Sequence, residues 1–120
     1  MSNAKVDPAL DELQEDIKVI LGRIDKPEKM VVTGGMPYAN GPLHLGHLAG
    51  AFIPSDIFAR FNRMLIGKEN VLFVSGNDDH GSTSELSAKK AGLGVSEFIG
   101  GIHSKHKSTM ASYNISLDTF

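Results

Sequence analysis

The sequence predicts an α/β fold, a parallel βαβ unit preceded by an amphipathic helix of its own. Three observations carry this. Two short apolar runs, Met30-Val31-Val32 and Val71-Leu72-Phe73-Val74-Ser75, are bounded by polar or glycine-rich turns, the pattern of buried parallel strands. Between them, residues from about 44 to 65 read as helix, and a further helical stretch follows the second run. The order strand–helix–strand–helix is that of a right-handed crossover unit.

The elements follow in order. Ser2-Asn3-Ala4 looks like a cloning remnant and is left out of fold reasoning. Asp7-Pro8 offers an N-cap and a proline at the first helical position, and Leu10, Leu13, Ile17, Ile20 or Leu21 and Ile24 recur at helical spacing. A helix over residues 8–22, ending near Gly22, is expected to pack against the body of the protein. Asp25-Lys26-Pro27-Glu28-Lys29 links it to a strand at 30–33. In the 44–65 helix Pro54 removes a hydrogen bond and clashes with the Gly50 carbonyl, which predicts a kink or break at 50–54. Val71–Ser75 is the second strand. Ser82-Thr83-Ser84-Glu85 has the spacing of a capping box for a helix that stops at Gly92. Val95, Phe98 or Ile99, Ile102, His106 and Met110 outline a last helix, against which Gly100-Gly101 counts.

Composition bounds the function. At 120 residues the chain is one domain at most, and 41% hydrophobic with 22% charged residues is ordinary globular composition. No apolar run approaches the roughly 20 residues of a membrane span, so a cytoplasmic, membrane-free protein is expected. The absence of cysteine excludes disulfides and thiolate zinc sites within this sequence. A net charge of −2 and a pI near 6.2 give no basic footprint for nucleic acid.

The chemistry concentrates in Met36-Pro37-Tyr38-Ala39-Asn40-Gly41-Pro42-Leu43-His44-Leu45-Gly46-His47, a Pro/Gly loop entering a helix. Backbone N–H groups are free at such a turn, and the helix dipole favours anions. His44 and His47, three apart, share a helix face and point at whatever occupies the loop mouth. The dipole disfavours imidazolium, so neutral rings donating hydrogen bonds to phosphate oxygens are expected. Gly46 between them lets a flat group such as a nucleobase approach the backbone, at about 1 kcal/mol of helix propensity.

Pro37-Tyr38-Ala39-Asn40-Gly41 followed by His44-Leu45-Gly46-His47 resembles the His-x-Gly-His signature of class I aminoacyl-tRNA synthetases. Val71-Leu72-Phe73-Val74-Ser75-Gly76-Asn77-Asp78-Asp79-His80-Gly81 is similar to the Gly-x-Asp-Glu-His-Gly block of the methionyl branch. The isoleucyl, leucyl and valyl enzymes place a Gly-Trp-Asp there, and this chain has no tryptophan. Small nucleotidyltransferases also use His-x-Gly-His but lack the Tyr-Ala-Asn-Gly loop and the second block.

The resemblance implies an ATP-dependent methionine–tRNA ligase. Residues 1–29 would be remnant, helix and linker, and 30–120 the first half of a Rossmann-like nucleotide-binding catalytic domain, a piece of a longer enzyme. Its second signature loop, Lys-Met-Ser-Lys-Ser, is not in this sequence, so the isolated chain is expected to be inactive. ATP with Mg2+, methionine and tRNA(Met) would be its ligands, and zinc knuckles would lie only in a later insertion. His44 and His47 would contact phosphate, Gly46 would lie under the adenine, and Thr33 and Asn40 would support them. Asp78 would hold the ammonium group of methionine, and Tyr38, Gly35 and Met36 would line the side-chain pocket. Met36 departs from the family's usual Leu and Gly34-Gly35 from bulkier pairs, and a flexible Met with a missing Cβ is expected to enlarge that pocket.

Blander readings stand beside these. The first histidine pair with His80 could ligate zinc, though a metal site wants three or four ligands and an outer shell. The second pair, His103-Ser104-Lys105-His106, is read as a solvated helix face, as are Lys89-Lys90 and Lys105-His106-Lys107. The blander role for Asp78 and Asp79 is to cap the helix beginning near Ser82. A half-sheet leaves apolar surface open, so the isolated chain is expected to be marginally stable or self-associating.

Overall fold

A computed structural model describes residues 8–120; the proposed cap Asp7 and the remnant at 2–4 lie outside the described residues. Helix α1 runs Pro8–Gly22, as its periodicity predicts, but buries no residue. The expectation that it packs against the body is therefore wrong: its Leu10, Leu13, Ile17 and Ile20 all remain exposed.

Strands β1 (Met30–Thr33) and β2 (Val71–Val74) pair in parallel with Met30 opposite Val71 and Thr33 opposite Val74. The connection between them is helical. It comprises α2 (Leu45–His47), a π-helical turn (Leu48–Phe52) and α3 (Ile53–Ile66), then a 3₁₀ turn at Lys68–Asn70. The break predicted from Pro54 is the π turn. Proline cannot supply the N–H that the Gly50 carbonyl would take in an α-helix, and the chain widens ahead of it, with the Ile53 N–H donating to the Leu48 carbonyl.

The core lies between the sheet and α3, where Val32, Ala59, Val71 and Phe73 are buried and Met30, Ile66, Ile115 and Leu117 pack around them. The strands are not buried on both faces as expected. Val31 is 63% and Leu72 47% exposed, because α3 covers one side of the sheet and none of the described helices covers the other.

Helix α4 (Ser82–Ala91) ends on Gly92 in the left-handed conformation, φ 68°, where the Leu93 N–H returns to the Ala88 carbonyl at 3.1 Å. Its start departs from the predicted capping box. The N-cap is Gly81, so Ser82 is already helical and no side chain caps the turn. Helix α5 (Val95–Ser112) passes unbroken through Gly100-Gly101, carried by burial of Ile102, His106 and Met110 on one stripe. The segment after it returns along β2: the Asp118 N–H donates to the Phe73 carbonyl at 2.8 Å and the Ser75 N–H to the Thr119 carbonyl at 3.2 Å.

Candidate functional site

The site forms where the C-terminal ends of β1 and β2 lie side by side, the edge at which open parallel sheets bind ligands. Past the ladder the two loops stay tied. The Gly34 N–H donates to the Val74 carbonyl at 2.8 Å, and the Ser75 hydroxyl donates to the Gly35 carbonyl at 2.7 Å. The Asp78 N–H donates to the Pro37 carbonyl at 2.9 Å and the Ala39 N–H to the Asp78 carbonyl at 3.2 Å. Tyr38 and Asp78 are thus an isolated parallel pair, and register partners turn their side chains to one side of a sheet.

The first histidine pair is locked by reciprocal capping. His44 is the N-cap of α2, and its Nδ1 accepts the Gly46 N–H at 3.1 Å, while Nδ1 of His47 accepts the His44 N–H at 3.2 Å. A ring nitrogen that accepts carries no proton, so both neutral imidazoles hold theirs on Nε2. The ring centroids lie 3.9 Å apart. Burial pushes the His47 pKa below 6.5, and the positive charges that His44 and His106 would carry push it the same way. The two rings are tilted by 33° to each other, and α2 itself is only one turn.

Gly46 has a local reason to lack a Cβ. That atom would stand 2.9 Å from Cε1 and 3.0 Å from Nδ1 of His44, so the glycine makes room for the capping ring. The spaces beside Gly34 and Gly35 are likewise taken. A Cβ on Gly34 would meet Ser75 and Phe52 at 3.2–3.3 Å, and one on Gly35 would meet Ala51 at 3.3 Å. These two glycines admit neighbouring side chains.

A cavity of about 170 Å³ brings Gly35, Met36 and Tyr38 together with His47, closed behind by Ala51 and Phe52. Thr33 and Asn40 are exposed on either side of this loop and do not line it. Asp78 meets the loop through its backbone, whereas Asp79 lines a separate cavity of about 520 Å³ with His80 and Glu85. Neither aspartate caps α4. Among the described residues no three histidines or carboxylates converge on a point where a metal ion would sit.

The second histidine pair divides. Lys105 and Lys107 are exposed, but His106 is only 1% exposed, which overturns its reading as a solvated face. Its Nε2 lies 2.8 Å from the Gly41 carbonyl and its Nδ1 2.9 Å from the Asn77 side chain. The signal was present in the sequence: spacing places His106 between Ile102 and Met110 on the apolar stripe of α5. Asn77 and Ser75 also escaped notice, because their partners are distant in sequence.

Comparison with known proteins gives the family. The family described as tRNA synthetases class I (M) matches residues 30–120. The chain is 45% identical over 94 residues to the methionine–tRNA ligase of Chlamydia caviae, covering 78% of this chain and 17% of that protein. It is 42% identical over 96 residues to that of Cytophaga hutchinsonii, covering 80% of this chain and 14% of the other. Among solved structures it superimposes on Mycobacterium tuberculosis methionyl-tRNA synthetase in complex with methionyl-adenylate, with TM-score 0.68 and 29% identity over 77% of this chain and 17% of that one. An Agrobacterium radiobacter leucyl enzyme, at TM-score 0.68 and 23% identity over 99% of this chain and 15% of the other, shares the fold. The chain therefore spans about a sixth of the length of the curated relatives it matches. With the family matched along the whole of 30–120 and the parallel unit superimposing on its Rossmann-like catalytic domain, the chain belongs to the methionyl family of class I tRNA synthetases.

Proposed function

We propose that this chain is the part of a methionine–tRNA ligase that faces ATP and methionine, with residues 30–120 forming the first half of the nucleotide-binding domain. The ligase lets the methionine carboxylate attack the α-phosphate of ATP, taken as its magnesium complex. Pyrophosphate leaves, and the methionyl group of the adenylate then passes to tRNA(Met), in the cytoplasm. One observation carries the reading: reciprocal capping fixes both His44 and His47 as Nε2–H donors, and His47 also lines the cavity bounded by Met36 and Tyr38.

The roles follow from the chemistry. Charge on the phosphate oxygens grows as the carboxylate attacks, and preoriented neutral donors stabilise it without reorganising. His44 and His47 act in this way, Gly46 lies under the adenine, and Thr33 and Asn40 flank the nucleotide. Asp78, paired with Tyr38, supplies the negative charge for the methionine ammonium. The thioether is apolar and polarizable, so Tyr38, Met36 and the Gly35 backbone recognise it by shape and soft contact.

Methionine-dependent exchange of pyrophosphate into ATP, measured on the ligase that contains this segment, tests the proposal. His44→Ala and His47→Ala should each lower the exchange rate by about 100- to 1000-fold while sparing methionine affinity. Asp78→Ala should chiefly raise the methionine concentration required. Exchange driven by another amino acid in preference to methionine overturns the assignment, and unchanged methionine affinity in Asp78→Ala removes its ammonium role.

A further inference from the structure

We infer that His106 is a positioning residue for adenylate formation, a buried clamp that sets the phosphate loop against the strand end bearing Asp78. The inference rests on the function proposed above. Gly41, which His106 holds through its carbonyl, lies three residues before His44, and Asn77, its other partner, immediately precedes Asp78. One imidazole on α5 thus spans the two loops that bring phosphate and ammonium ligands together.

The hydrogen bond to Gly41 fixes one proton of the ring. A carbonyl only accepts, so the nitrogen 2.8 Å from Gly41, Nε2, carries the proton. In a neutral ring Nδ1 is then an acceptor and requires a donor from Asn77. With the Asn77 oxygen turned to the ring, its amide nitrogen is buried without a partner. Rotating that amide by half a turn pairs the nitrogen with Nδ1 and fits neutral imidazole, and amide orientation is assigned from such networks. The orphaned donor and the acceptor nitrogen resolve each other.

The clamp acts where no other described side chain does. The remaining links between the loops, at Gly34, Gly35, Pro37 and Ala39, all lie on the β1 side of the phosphate loop. Among the described residues, the bond to Gly41 is the one side-chain hydrogen bond that reaches the stretch 40–43, just ahead of the capped histidines. A buried polar ring must find partners, whereas leucine would fill the same volume on the Ile102–Met110 stripe without that demand. Histidine supplies what leucine lacks, a rigid two-ended link.

The test compares His106→Leu with His106→Gln in the ligase that contains this segment, with rates expressed per titrated active site. Glutamine can donate to the Gly41 carbonyl from about the place of Nε2; leucine cannot. His106→Leu should lower kcat of methionine-dependent exchange by about 10- to 100-fold, the order expected of a small misplacement. The KM for methionine should stay within about threefold, and His106→Gln should recover most of the rate. A purely structural role would lower Tm and the titrated fraction of sites, with kcat per site unchanged and no recovery with glutamine; that result overturns the proposal. Nitrogen NMR of the His106 ring gives a readout independent of methionine turnover: a neutral Nε2–H ring supports the clamp, and an imidazolium or Nδ1–H ring overturns it. Absence of methionine-dependent exchange in the unaltered ligase is a different failure, that of the functional reading itself.

Discussion

At the scale of single residues, the histidine pair illustrates how a side chain can be given one protonation state by the backbone it caps. Nδ1 of His47 is useful to the fold only while it accepts the His44 N–H, and protonating it turns an acceptor into a second donor facing a donor. Desolvation, with the nearby His44 and His106, keeps the His47 pKa below 6.5 and so protects the neutral form. The linkage has a definite sign. A histidine whose folded pKa is depressed contributes stability that is fully present above the unfolded value and is lost as pH falls through the lower, folded one. The cap should therefore be intact at pH 7 and loosen only below pH 6.5. In an NMR titration His47 should show a midpoint below 6.5, and hydrogen exchange at the His44 amide should accelerate over the same interval. A His47 midpoint at or above 6.5 contradicts the account of the cap.

Among elements, what was legible in the sequence is what local chemistry decides. Pro54 announces the π turn because a missing N–H is a property of one residue, and Gly92 announces the end of α4 because only glycine enters the left-handed region freely. The capping box failed by one residue of register, which serine and glycine side by side do not fix. Of the site, the histidine pair and the Tyr38–Asp78 pairing lie within motifs, whereas the burial of His106 depends on partners 29 and 65 residues away. The join between α3 and the segment after α5 was equally hidden. Asp56, 7% exposed, accepts the Ser116 N–H at 2.6 Å as well as its hydroxyl, and holds Arg60 at 2.7 Å. Arg63 adds bonds to Ser116 and Asp118. Burial alone would push the Asp56 carboxyl up, but the Ser116 hydrogen bonds and Arg60 outweigh it and hold the pKa below 3.8. A depressed carboxylate contributes stability above its unfolded pKa that disappears as pH falls through the folded value. Asp56→Asn should then cost about 1–3 kcal/mol near pH 7, and less once the pH falls below 3.8, as read from urea midpoints. An equal cost at pH 7 and pH 3 would show that shape rather than charge makes the join.

At the scale of the whole molecule, the chain is extended and one-sided. Its radius of gyration is 20.8 Å and its longest dimension 71 Å, where a compact chain of this length would have a radius near 14 Å. Two surfaces account for this. Helix α1 buries none of its residues, and the sheet face carrying Val31 and Leu72 is uncovered among the described residues. They predict separable behaviour. Stability resides in the core between α3 and the sheet, so deleting residues 8–24 should move the thermal midpoint by no more than about 2 °C, whereas loss of a core contact worth 1 kcal/mol moves it by about 4–8 °C in a domain of this size. Self-association is expected through the apolar sheet face, so Val31→Thr with Leu72→Thr should make the sedimentation coefficient of the isolated chain independent of concentration. Both substitutions keep a β-branched or strand-compatible residue on an exposed face and leave Val32, Val71 and Phe73 untouched. If deleting the helix abolishes association while the sheet variants still associate, α1 rather than the sheet is the adhesive surface, and the open face is tolerated in water.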